Sequence, residues 1–104
     1  MVKLTRQNAK KLLADVPAEF MFYCHDGKVF KNMEELKDGL VNMSDDIYSF
    51  HANENRNDFS KWVRDVIKDD ELADGLSSIT VVSSSSDAAR LVGTRITVLS
   101  RIRR

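Results

Sequence analysis

Seven residues between positions 50 and 62 carry most of the chemistry this sequence offers: Phe50, His51, Asn53, Asn57, Asp58, Phe59 and Trp62. A histidine paired with an aspartate and walled by a tryptophan is the makings of an acid/base pair or of a ligand pocket. The same residues also have a plainer use. His51 would close one helix, Asn57 or Asp58 would cap the next, and Asn53 would satisfy loose backbone groups between them. Capping accounts for every residue type without invoking chemistry, so it carries the greater weight. No Ser, Cys or Lys is tied to His51 by a sequence pattern, so a nucleophile is missing. The cluster His51, Asn53, Asn57, Asp58 and Trp62 therefore stands as a candidate binding site, and no catalytic residue is assigned.

Two other groups invite the same question. Cys24-His25-Asp26 looks like a triad written in a row. Adjacent strand residues diverge, whereas a triad must converge in space. Cys24 reads better as a small core residue in the series Phe20, Phe22, Cys24. The carboxylates Asp65, Asp69, Asp70, Glu71 and Asp74 lack the Asp-x-Asp-x-Asp-Gly loop of a calcium site. Acids at helix N-termini, complementing the dipole, explain them better. No zinc-ligand spacing is present, and neither are the glycine-rich or nucleophile-elbow motifs. No metal and no cofactor is expected.

The strongest charged feature lies at the C-terminus. Arg90, Thr94, Thr97, Arg101 and Arg104 form one helical stripe, with Arg95 and Arg103 alongside. Forked guanidinium donors suit phosphate, so Arg90, Arg95, Arg101, Arg103 and Arg104 are candidate contacts to nucleic acid or another polyanion. Any amphipathic helix must also carry something polar outside. No aromatic platform interleaves the arginines, and the overall pI of about 6.7 is low for such a domain.

The elements that position these groups follow from the spacing. Thr5 caps a helix to about Asp15, which Pro17 stops. Residues 19–24 read as an aromatic strand, Asp26-Gly27 as a turn, and residues 28–31 as the returning strand. Asn32 and Glu35 form a capping box before the stripe Met33, Leu36, Leu40, Met43. Gly39 costs that helix about 1 kcal/mol unless a neighbour packs closely on it. Ser44 caps a short helix that buries Ile47, Phe50 and Tyr48. A polar loop over 53–57 leads to a helix with Phe59, Trp62, Val63, Val66 and Ile67 on one stripe. Asp69 caps the next, which buries Leu72, Ala73 and Leu76. Residues 77–86 are open to strand, helix or loop. The serines at 83–86 form a flexible joint, with Ser86 capping a last helix that buries Ala88, Leu91, Val92, Ile96, Leu99 and Ile102.

The expected fold is thus α+β and mostly helical: about five helices and one two-stranded β-hairpin, in a single domain over 1–104, closed around Trp62. The chain has 104 residues, 42% of them apolar and 31% charged. That length can bury a self-sufficient core. No apolar run approaches the ~20 residues of a membrane span, and no signal peptide is expected. A single cysteine fits a reducing cytoplasm. The net charge is 0, but it divides into +4 over residues 1–14, −1 over 15–31, −7 over 32–76 and +4 over 77–104. Basic ends flanking an acidic middle mean either mutual neutralisation or a basic binding face.

Residues 22–76 also carry a recognisable pattern: Asp26-Gly27 after an aromatic strand, Leu36 and Leu40 before Met43, Phe50-His51 with Asn53, then Asn57-Asp58-Phe59, Trp62, Asp65-Val66 and Leu72-Ala73. This stretch resembles a family of small domains of unknown function found in archaea and bacteria. The resemblance implies no activity, substrate or cofactor. The functional expectation is a small non-catalytic interaction or adaptor module that binds a protein partner or a second copy of itself, with no membrane role. The alternatives are a nucleic-acid binder using the basic terminal helices, and a ligand pocket around His51, Asp58 and Trp62.

Overall fold

Helix α6 (Ser85–Arg103) is the long element on which α1 (Arg6–Leu13), α2 (Met33–Asn42) and α5 (Asp70–Ser78) pack. The structure, a computed structural model, describes residues 4–79 and 84–103. The β-branched stretch Thr80–Val82 and residues 3, 83 and 104 lie outside the described residues. The remaining elements build the other end of the molecule: β1 (Phe22–Tyr23) with β2 (Val29–Phe30), α3 (Asp45–His51), β3 (Ala52–Asn53) with β4 (Arg56–Asn57), and α4 (Asp58–Trp62). The fold is α+β and mostly helical, with six α-helices and two antiparallel two-stranded ladders among the described residues.

The capping expectations hold at atomic level for five helices, whereas Ser86, expected to cap the last one, lies inside it. Side chains of Thr5, Asn32, Ser44, Asn57 and Asp69 each accept a backbone N–H in the first turn of the helix that follows. The Asn32 box closes one residue early, because Glu35 Oε1 accepts from Lys31 N–H at 3.0 Å. Gly39 is where a close neighbour sits: a Cβ there would overlap the tip of the Phe30 ring at Cζ. Gly27 takes φ +91° in the β1–β2 turn, as Asp-Gly requires.

Several expected boundaries are corrected. Helix α1 stops at Leu13, not Asp15. Pro17 biases Val16 to extended backbone, and Val16 N–H donates to Lys31 O at 2.8 Å. The strand expected over 19–24 shrinks to Phe22–Tyr23. Residues Ala18–Phe20 form a 3₁₀ turn instead, with Phe20 N–H returning to Pro17 O at 2.9 Å. Phe20 leaves the core as a result and is 52% exposed. Phe50, expected on the buried side of α3, is also exposed, and Tyr48 takes its place against Phe59. The polar loop over 53–57 is a second hairpin, with Ala52 opposite Asn57 and Asn53 opposite Arg56. Helix α6 starts at Ser85, so Ser85 and Ser86 belong to the helix and not to a joint. The buried Ser85 hydroxyl faces Met43 O at 3.4 Å.

The core has an aliphatic and an aromatic part. Met33, Leu36 and Leu40 of α2 meet Ala88, Val92 and Leu99 of α6, with Ala9 and Leu76 beside them, all essentially sealed from solvent. At the hairpin end Phe22 stacks on Phe59 at 5.1 Å and on Phe30 at 5.8 Å. The aromatic centre is thus Phe22 and Phe59. Trp62 stands edge-on at its margin, with its indole N–H donating to Phe20 O at 2.8 Å. After Trp62 the chain widens into a π-turn, Val63–Ile67, and leaves through Lys68 in the left-handed region at φ 74°. The amides of Lys68 and Asp69 both return to Val63 O.

Candidate functional site

His51 is buried among the rings of Phe22, Phe50 and Phe59. It is the last residue of α3, which puts its ring against the β1–β2 turn. Its Nε2 accepts the backbone N–H of His25 at 2.9 Å, and its Nδ1 lies 2.9 Å from Asp58 Oδ2. The network therefore assigns the proton to Nδ1, donated to the carboxylate. Both ring nitrogens are spent on holding the hairpin to α4. A general base needs a free lone pair aimed at substrate, and His51 offers none.

The other members of the cluster are engaged in the same way. Asn57 caps α4 through Ser60 N–H and donates to Leu76 O at 3.1 Å. Asn53 accepts from Asn55 N–H and donates to Ser49 O, each at 2.9 Å. Trp62 holds the 3₁₀ turn. Asp58 Oδ2 also lies 3.5 Å from Arg56 Nε. Arg56 closes the C-terminal end of α3 by donating twice to Phe50 O, and its guanidinium lies 4.8 Å from the Phe50 ring centroid. On the other side His25 stacks on Phe50 at 3.8 Å. The sequence reading missed Arg56, and it weighed His25 only in the row Cys24-His25-Asp26 and not beside Phe50. A cation six residues beyond Phe50 has no helical or strand period to reveal it.

What remains open is the space beside these residues. A groove of about 350 Å³ runs between β1 and α4, lined by Met21, Phe22 and Tyr23 on one wall and by Asp58, Lys61, Trp62, Asp65 and Val66 on the other, with His51 at its base. Phe20 and Tyr23, both more than half exposed, stand at this end of the molecule. The lining is mainly apolar with a charged rim, the usual composition of a binding cleft.

Cys24 and His25 point apart: the thiol is buried, and the imidazole is exposed on Phe50. Burial pushes the Cys24 thiol above its ordinary value, which makes it a poorer nucleophile. Among the described residues no three His, Cys, Asp or Glu side chains gather as metal ligands.

The arginines divide. Arg95 turns inward. Its Nε donates to Asp69 Oδ2 at 2.7 Å and its Nη2 to Asp69 Oδ1 at 3.0 Å, with Glu71 at 3.3 Å from Nη1. This forked pair joins α6 to α5, and Arg95 is withdrawn from the expected anion contacts. Arg90, Arg101 and Arg103 are exposed, as are Arg6, Lys10 and Lys11 of α1. None of these six has a carboxylate within 4 Å among the described residues. Helix α1 packs directly on α6, so the two basic ends of the chain are neighbours. Arg104 lies outside the described residues.

No curated protein and no solved structure matches the chain. A family model does match, over residues 31–102. The match reaches further along the chain than the stretch 22–76 read from the sequence: it takes in α6 and leaves out β1. The chain belongs to a family of unknown function, DUF5752.

Proposed function

We propose that the protein is a non-catalytic interaction module of a reducing cytoplasm, and that it binds a protein partner at the groove between β1 and α4. The observation that carries this reading is the contrast at one place. The ring nitrogens of His51 are consumed by the fold, while a mainly apolar cleft beside them stays open, with the exposed Tyr23 on its wall. Surface aromatics of this kind are the side chains that contribute most to protein recognition. A photo-crosslinking phenylalanine analogue at Tyr23, compared with the same analogue at Val41, tests it in cells. Val41 is also more than half exposed but lies on α2, outside the lining of the groove. A discrete adduct at 23 and none at 41 supports the reading, and a self-adduct identifies the partner as a second copy. Adducts at 41 alone, or none at either position, overturn it.

A second reading, nucleic-acid binding, is favoured by the six exposed cations of α1 and α6 that have no carboxylate partner among the described residues. It requires affinity that falls steeply with salt and weakens when Arg90 and Arg101 become alanine. Binding that is flat between low and physiological salt removes it.

A further inference from the structure

We infer that the partner enters as an extended peptide that adds a third strand to the free edge of β1. This inference rests on the groove being the docking site. Cys24 N–H donates to Lys28 O at 2.8 Å, so Cys24 and Lys28 form a hydrogen-bonded pair. Tyr23 and Val29 are the next pair in the register. Antiparallel ladders alternate, so Tyr23 and Val29 form a non-hydrogen-bonded pair. The N–H and C=O of Tyr23 therefore point away from β2, toward the side on which the groove lies. Among the described residues neither has a backbone partner.

An unpaired strand edge is a template for another strand. Most proteins cover such an edge or block it. Here the space next to it is a groove with an apolar wall of Trp62 and Val66. An extended segment laid there would pair with Tyr23 on one side and set alternate side chains against Trp62 and Val66 on the other. The π-turn widens α4 at the residues, Asp65 and Val66, that form this wall. Shape decides against a second copy as the occupant. Each copy's β1 edge is flanked by its own α4 wall, and two concave edges do not mate. Charge sets the partner's chemistry. Asp58 is already paired, while Asp65 and Lys61 on the rim are exposed with no ion pair among the described residues. The fitting segment is extended and apolar at alternate positions, with a lysine or arginine to meet Asp65 and a carboxylate to meet Lys61.

The single cysteine makes a backbone test possible. The full chain can be joined at Tyr23–Cys24 from a synthetic 1–23 piece and an expressed 24–104 piece. The synthetic piece carries either Tyr23 or N-methyl-Tyr23. Because the Tyr23 N–H makes no internal bond, the methylated chain should keep the same circular dichroism and the same Tm. An ester in place of the Tyr23 amide serves as a second variant if methylation disturbs folding. Random heptapeptides displayed on phage are selected on the unmodified chain, and the winners are synthesised and titrated while Trp62 fluorescence is followed.

Winners that shift Trp62 fluorescence and bind the N-methyl or ester chain at least tenfold more weakly support strand addition. Winners that shift Trp62 fluorescence but bind both chains equally overturn strand addition and leave groove docking standing. Winners that leave Trp62 fluorescence unchanged, or a selection that yields none, overturn both.

Discussion

His51 shows how a side chain whose type suggests chemistry can hold two elements together. An imidazole beside a carboxylate is read as an acid/base pair only if one nitrogen is left for substrate. Here the second nitrogen takes the His25 amide. Replacing His51 with alanine would strand that N–H and the Asp58 carboxylate and leave a hole between Phe22 and Phe59. Both effects destabilise, and together they should cost about 2–4 kcal/mol. Urea denaturation measures this directly, as a lower midpoint at unchanged slope. A loss under 0.5 kcal/mol would show that the ring is not holding the hairpin.

At the scale of elements, the clearest case is the contact of α2 with β2. Gly39 lies mid-helix, where alanine is favoured by about 1 kcal/mol. The Phe30 ring occupies the place of the missing Cβ, and Phe30 is itself buried. Overpacking a rigid ring costs about 1–3 kcal/mol. Sterics should therefore win, so Gly39→Ala should lower Tm rather than raise it. Thermal melts by circular dichroism decide the sign. The clamp of α6 onto α5 is a second case. Asp69 is sealed from solvent and takes both tines of the Arg95 fork while capping α5. Removing one partner of a buried pair leaves an uncompensated charge, so Arg95→Met should cost about 3–5 kcal/mol. In an Asp69→Asn background the same change should cost clearly less, which a double-mutant cycle reads out.

For the whole molecule, two buried acids contribute to the pH dependence of stability on the alkaline side. Burial raises the Cys24 thiol above its ordinary 9.0. Burial, with Asp87 adding to it, raises the Tyr48 phenol above its ordinary 10.0. Below about pH 8 both groups hold their protons whether the chain is folded or not, and they leave stability unchanged. Above those values the unfolded chain releases protons that the folded chain keeps. Stability contributed by these groups must then fall as pH rises through the folded values. Denaturation midpoints between pH 8 and 11 should decline, with a later onset in Cys24→Ala. A flat profile in that range would contradict the burial of both groups.

The sequence by itself determined most helix starts and their apolar faces, but not the second hairpin or the short reach of β1. A cap is a contact between residues three apart, so Thr5, Asn32, Ser44, Asn57 and Asp69 announce helix starts without any knowledge of the fold. The apolar stripes of α2 and α6 were legible for the same reason, because a helix returns to one face every 3.6 residues. Membership of a family of small domains was also legible, although its reach into α6 was not. Tertiary structure decided what each polar group is for. Whether His51 has a free nitrogen depends on an amide 26 positions away, and whether Arg95 is a binding residue depends on a carboxylate at the same separation. Tyr48 was placed in the core and Phe50 outside it by neighbours on other elements, since α3 is too short for its own period to choose. The groove, likewise, exists only where β1 and α4 come to lie side by side. Local spacing carries local geometry, whereas a site is made by convergence of distant segments, and that convergence is set by which buried faces can close on one another.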